Sequence, residues 1–179
     1  MTVSTERIGT SSGSLPSWVI LVIALVIIIA DRITKVWAVA NLTYGVPKRI
    51  AGEYLRFTLN WNQGAAMGST LGSFSRVGFS LAAVVVLVML AAFYRKAPER
   101  PAGMQVALGL IGGGAVGNLF DRLTSARGVI DFIDVGVGST RFWTFNIADS
   151  AVTCGAVLLA FTLTRHPTPT RAPVTASKK

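Results

Sequence analysis

The sequence predicts an all-α integral membrane protein: four transmembrane helices with a small β-containing extracytoplasmic loop region. Apolar residues fill 51% of the 179 positions and charged residues only 14%, with a mean hydropathy of +0.56, far from the roughly 25% charge of a soluble domain. The apolar residues gather into four long stretches. Each span takes about 20 residues, so four of them use most of the chain. One membrane domain, residues 17–164, is expected between an N-terminal tail, 1–16, and a C-terminal tail, 165–179.

The first span is read from Ser17 to Ala40, opening with an uninterrupted apolar run, Trp18 to Ala30, before Asp31 and Lys35. Ala38-Val39-Ala40 resembles a signal-peptide cleavage site, but Asp31, Arg32 and Lys35 separate it from the apolar run, so the segment is read as a retained helix. The second span runs from Val77 to Tyr94 and closes on Arg95-Lys96, with Pro98 as breaker. A third covers Gly103 to Phe120, and a fourth Phe142 to Thr164, with Asp149 in its second turn. Cys154 in that span has no partner for a disulfide and is read as packing. Residues 166–179, His166 among them, lack apolar periodicity and are expected to be a disordered cytoplasmic tail.

An even number of spans puts both termini on one side. Basic residues divide eight to nine between the two faces, so the count alone does not orient the chain. The short basic turn from Arg95 to Arg100 resembles a cytoplasmic turn, and cytoplasmic termini are the expectation. The net charge of +9 is scattered between spans and tail with no basic helix, which argues against nucleic acid and for anionic lipid headgroups as partners.

The long loop from Asn41 to Ser75 holds Glu53-Tyr54-Leu55-Arg56-Phe57-Thr58-Leu59-Asn60-Trp61-Asn62, aromatic and partly alternating. This predicts a short β-segment at the membrane surface with Asn60 and Asn62 on one face. Gln63-Gly64-Ala65-Ala66 follows as a tight small-residue turn. In the third span Gly113 and Gly117 lie four apart, a pattern that lets helices approach closely. Asn118 and Asp121 lie three apart beyond them, and Asn146 and Asp149 repeat the spacing in the fourth span. Two Asn-x-x-Asp faces can meet across the bundle, the amides orienting the carboxylates. Asp121, beside Arg122, is read as a structural ion pair, and Asp31 with Lys35 as an i, i+4 pair.

An ionisable group inside a span is costly and by default functional. Asp149 lies inside one, and Asp131 and Asp134 lie just outside. The spans hold no histidine, no Ser/Lys constellation is evident and His-Glu-x-x-His is absent. Two carboxylates within hydrogen-bond reach cannot both ionise easily; sharing a proton, one acts as base toward water and the other as acid toward a carbonyl. On residue types alone, Asp131 and Asp134 are equivalent partners for Asp149. A small proton-coupled transporter relaying protons through Asp31, Asp121 and Asp149 is the competing reading, though it lacks inverted repeats beyond the paired Asn-x-x-Asp. A non-catalytic scaffold would leave Asp149 without a purpose.

Five segments in order, Asp31 to Lys35, Asn62 to Ala66, Gly113 to Arg122, Val129-Ile130-Asp131-Phe132 and Phe145 to Ser150, resemble the motifs of bacterial lipoprotein signal peptidase, the signal peptidase II family. The resemblance runs from Trp18 to Thr164. It implies a multi-pass protein of the bacterial cell membrane, an aspartyl endopeptidase that cleaves diacylglyceryl-modified prolipoprotein before the lipidated cysteine. It implies Asp131 and Asp149 as the catalytic dyad, Asn62, Gly64, Asn118, Arg122 and Asn146 as residues shaping or supporting the substrate site, and Asp31 and Lys35 as structural polar residues. No metal or organic cofactor is expected, and the protein is expected to be a monomer among membrane lipids, with the Trp61 loop as a cover over the substrate. Met67 departs from the aromatic residue the family usually has after the two alanines.

Overall fold

The computed structural model describes residues 13–64, 74–98 and 100–165. Among these, four helices and four strands follow one another: α1 Trp18–Asn41, β1 Lys48–Ala51, β2 Leu55–Asn62, α2 Phe74–Lys96, α3 Ala102–Thr124, β3 Val129–Val137, β4 Thr140–Arg141 and α4 Ile147–Arg165. Residues 1–12 and 166–179 of the expected tails, the Ala65-Ala66 half of the turn and Met67 lie outside the described residues.

Three helices, Ser75–Lys96, Ala102–Thr124 and Ile147–Arg165, are long and apolar enough to cross a membrane. α1 has 24 residues. It carries three charged residues, Asp31, Arg32 and Lys35, and is not among those three helices. Those charges do not all face lipid: Asp31 is 1% and Lys35 0% exposed. The outward side of α1 carries Leu21, Leu25, Ile29 and Ile33.

α3 is the central helix, packed against α1, α2 and α4, while α2 packs chiefly on α3 and buries none of its apolar window. Glycines allow this centrality. A Cβ on Gly113 would lie 2.8 Å from the Ala24 carbonyl of α1, and one on Gly114 would run into the Ala148 carbonyl of α4. Gly113 thus takes the packing role expected of it, and Gly117 lies against the Asp31 carboxylate. Gly114→Val is expected to force α3 from α4 at a cost of about 1–3 kcal/mol, the scale of overpacking, seen as a lowered thermal midpoint of the purified protein; an unchanged midpoint would contradict this packing.

The β content exceeds the single expected segment. β1, β2, β3 and β4 form one antiparallel sheet in that order. β2 pairs with β3 through Asn60↔Asp131 and Asn62↔Val129, and the register shifts between Phe57 and Asn60. Gly128, at φ +95°, immediately precedes β3, where a side chain would collide with the Asn62 carbonyl. The sheet is seated on the C-terminal end of α1 by Ala38, Leu42, Leu59 and Phe132. Phe57 bridges Trp37 and Phe132, with ring centroids 5.5 and 5.8 Å away.

The fourth helix begins at Ile147 rather than Phe142, which puts Asp149 in its first turn. Phe145 instead exchanges backbone hydrogen bonds with Ile133 of β3. Asn146 ends that pairing and starts the helix: its Oδ1 accepts from the Asp149 N–H at 2.9 Å, and Asp149 Oδ2 accepts from the Asn146 N–H at 3.1 Å. This is a reciprocal cap with Asn and Asp in place of Ser and Glu. Cys154 is exposed, contrary to the packing role read for it, because the buried line of α4 runs through Ala148, Ala151, Gly155 and Thr162.

Candidate active site

The ends of five elements converge where the sheet meets the helices. β3 supplies Asp131, the first turn of α4 supplies Asp149, β2 ends in Asn62, α3 brings Asn118 and Asp121, and α1 brings Asp31 and Lys35. Asp131, 2% exposed, receives the Asn146 side-chain N–H on Oδ1 at 2.7 Å and the Asn62 side-chain N–H on Oδ2 at 3.1 Å. Asn62 is itself oriented, since its Oδ1 accepts from the Gly64 N–H at 2.9 Å. Gly64 makes this turn at φ +101°, and a side chain there would strike the Phe79 ring. Asp149 Oδ1 accepts from the Asn118 amide at 2.7 Å.

Asn146 is the hub. It is fully buried, its side-chain amide meets Asp131 and Asn118, and its backbone N–H meets Asp149. The two Asn-x-x-Asp pairs do meet, but Asn146 does so as a helix cap and not from a helical face. Behind this layer Lys35 contacts Asp31 and Asp121, both at 2.8 Å, and Asn118 Oδ1 at 3.0 Å. The expected Asp31–Lys35 pair is therefore present.

Asp121 takes partners from α1, Lys35 at 2.8 Å and Arg32 at 3.0 Å, and not its neighbour Arg122. Consecutive helical residues do not face each other. Arg122 lies over the Phe79 ring, 5.5 Å from its centroid, with Nε buried and, among the described residues, without a hydrogen-bond partner. Asn60, on the Asn62 face, reaches Thr144 Oγ1 at 3.3 Å.

Asp134 is separated from Asp131 by the strand itself. Residues three apart in a strand point to opposite faces, and Asp134 is held by Arg141 at 2.8 Å and by the Thr58 hydroxyl at 3.0 Å. Burial, then the nearby Asp149 carboxylate, pushes the Asp131 carboxyl up to about 7, against the pull of Asn62, Asn146 and Lys35. Among the described residues no three His, Cys, Asp or Glu side chains are grouped to hold a metal ion.

Sequence reasoning missed Arg32 as a partner of Asp121. It also missed two backbone contacts, Ala148 N–H to Asp31 Oδ1 at 3.0 Å and Ile130 N–H to Asp121 Oδ2 at 3.3 Å. No sequence signal marks either, since the donor in each is a backbone group that nearly every residue carries.

Apolar helices beneath a small sheet, with buried carboxylates at the junction, have the form of a bacterial membrane enzyme. Two solved bacterial membrane enzymes superpose with TM-scores of 0.72: one is 30% identical and covers 86% of this chain and 93% of its own, the other is 33% identical and covers 81% and 92%. The family model for signal peptidase (SPase) II matches residues 23–165. Lipoprotein signal peptidase of Hydrogenovibrio crunogenus is 40% identical over 152 residues, 84% of this chain and 85% of that one. Its counterpart in Burkholderia thailandensis is 37% identical over 155 residues, 85% and 90% of the respective chains. The chain belongs to the signal peptidase II family. It is a hydrolase, a membrane protease of lipoprotein processing, and the transporter reading is set aside.

Proposed function

We propose that the protein is an aspartyl endopeptidase whose Asp131 and Asp149 act as one proton-sharing unit on diacylglyceryl-modified prolipoprotein, cutting before the lipidated cysteine. One observation carries this reading: Asn146 touches both carboxylates, Asp131 through its side chain at 2.7 Å and Asp149 through its backbone at 3.1 Å. The elevated Asp131 holds the shared proton near neutral pH. Asp149 takes a proton from a water, the water oxygen attacks the scissile carbonyl carbon, and Asp131 gives its proton to the carbonyl oxygen. The tetrahedral intermediate then collapses: its C–N bond breaks, the proton held by Asp149 passes to the leaving amine, and the intermediate's hydroxyl returns its proton to Asp131.

The remaining residues have supporting parts in this reading. Asn62 and Asn146 orient Asp131, Asn118 orients Asp149, Gly64 fixes the Asn62 turn, and Arg122 borders the substrate path. A groove of about 320 Å³ between α2 and α3, lined by Val77, Leu81, Val84, Leu119 and Leu123 together with Arg76, Ser80 and Arg122, offers an alkyl chain a place beside the site. α1 serves as a fourth span, the termini and the turn from Arg95 to Arg100 lie in the cytoplasm, and the sheet lies at the outer face. Supporting that orientation, the sheet sits at the end of α1 and α3 opposite the basic turn. The protein works as a monomer among lipids and needs no metal.

Purified protein incubated with a diacylglyceryl-modified precursor should release a product whose first residue is the modified cysteine. A precursor with an unmodified cysteine should be cut at least about tenfold more slowly, because the acyl chains fix the depth and orientation of the scissile bond. Equal rates would contradict lipid recognition, and no cleavage of either would overturn the function.

A further inference from the structure

We propose that Lys35 is a positioning residue for the reaction, the centre of a three-armed clamp that sets both aspartates from beneath. This inference rests on the aspartyl reading above. An ammonium has three protons, and each arm of Lys35 leads to the dyad. One arm meets Asp31 Oδ2 at 2.8 Å, and Asp31 Oδ1 accepts from the N–H of Ala148, the residue before Asp149, at 3.0 Å. A second meets Asp121 Oδ2 at 2.8 Å, which also accepts from the N–H of Ile130, the residue before Asp131, at 3.3 Å. The third meets Asn118 Oδ1 at 3.0 Å, and the Asn118 amide donates to Asp149 Oδ1 at 2.7 Å.

An ordinary structural ion pair would need only the first arm. Here a lysine with no solvent exposure joins α1 to α3 and, through two carboxylates, to the backbone of β3 and α4. The arrangement also balances charge: Lys35 and Arg32 offset Asp31 and Asp121, so the layer beneath the dyad is neutral overall. The charged groups around the dyad are Asp31, Arg32 and Lys35 from α1, Asp121 and Arg122 from α3, Asp131 from β3 and Asp149 from α4. Burial and Asp149 raise the Asp131 carboxyl, and Asn62, Asn146 and the Lys35 cation act against them, with the Arg122 guanidinium also paired electrostatically with Asp131.

Two variants separate positioning from mere support of the fold. Lys35→Met leaves one uncompensated buried negative charge, so poor insertion is expected. The double variant D31N/K35M restores neutrality, since Asp121 keeps Arg32, and the amide oxygen it places at position 31 can still accept from the Ala148 N–H. With rates referred to folded protein, the double variant should insert normally yet lose about 100-fold in kcat, the scale of a roughly 1 Å misplacement, with KM nearly unchanged. The alkaline limb of its pH–rate profile should move upward, because Asp131 keeps its proton longer without the cation. A merely structural lysine predicts recovery of wild-type kcat and an unshifted profile in the double variant, and either result would overturn the proposal. Asp149→Asn is measured alongside: if it remains active, the aspartyl reading itself fails, whereas an inactive Asp149→Asn beside a wild-type double variant removes only the clamp.

Discussion

Asp131→Asn and Asp149→Asn are each expected to lower cleavage by at least roughly 10⁴-fold, the scale reached when one member of a catalytic unit loses its titratable group. Asn preserves size, and each substituted site keeps an oxygen for one of its two donors. At position 131 those donors come from Asn62 and Asn146, whose own oxygens are committed to the Gly64 and Asp149 N–H groups. One donor must then face the new NH₂, costing about 1–3 kcal/mol against the relief of no longer burying an acid. The variants should therefore insert and purify, and the loss should be chemical. The double variant should be scarcely worse than either single one, because residues acting as a unit are non-additive. Asp134→Asn is the control: it weakens only the contacts with Arg141 and Thr58 on the other face of β3 and should keep its activity. Appreciable turnover by Asp149→Asn would contradict the account.

The helices were legible because the bilayer writes them into composition. A span must be apolar for about 20 residues, and α2 and α3 fall within a few residues of the apolar runs that announced them. The start of α4 was misplaced because hydropathy reads Phe142 to Phe145 as more span, while the true boundary is set by the Asn146–Asp149 cap. β3 escaped notice for a related reason. Asp131 and Asp134 project to opposite faces of the strand and both are buried, so the apolar and polar alternation that announces a strand is broken. The residues of the candidate site were legible as exceptions, polar groups placed where lipid makes them costly. What no local pattern carried was their pairing. Asp121 stands beside Arg122 in the chain but is neutralised by Arg32 and Lys35, some ninety residues earlier.

The second large effect concerns pH. Because burial and Asp149 hold the Asp131 carboxyl at about 7, the pair should pass from one shared proton to none as pH rises through that value. Its folded pKa lies above the ordinary value near 3.9. Its contribution to stability is therefore fully present below that ordinary value and is lost as pH rises through about 7. This part of stability falls between the ordinary value and about 7 and levels off above it, where the loss of activity begins. The limb belongs to the coupled pair and not to one residue alone, yet its position is set by the surroundings of Asp131.

The most direct test of two aspartates sharing one proton is the pH dependence of kcat/KM, which reports the ionisations of the free enzyme, for the wild-type protein on its diacylglyceryl-modified precursor. The account predicts an alkaline limb beginning near pH 7, falling about tenfold per unit to roughly 100-fold by pH 9. A rate that stays level or climbs from pH 6 to 9, as a nucleophile freed by deprotonation would give, would contradict it.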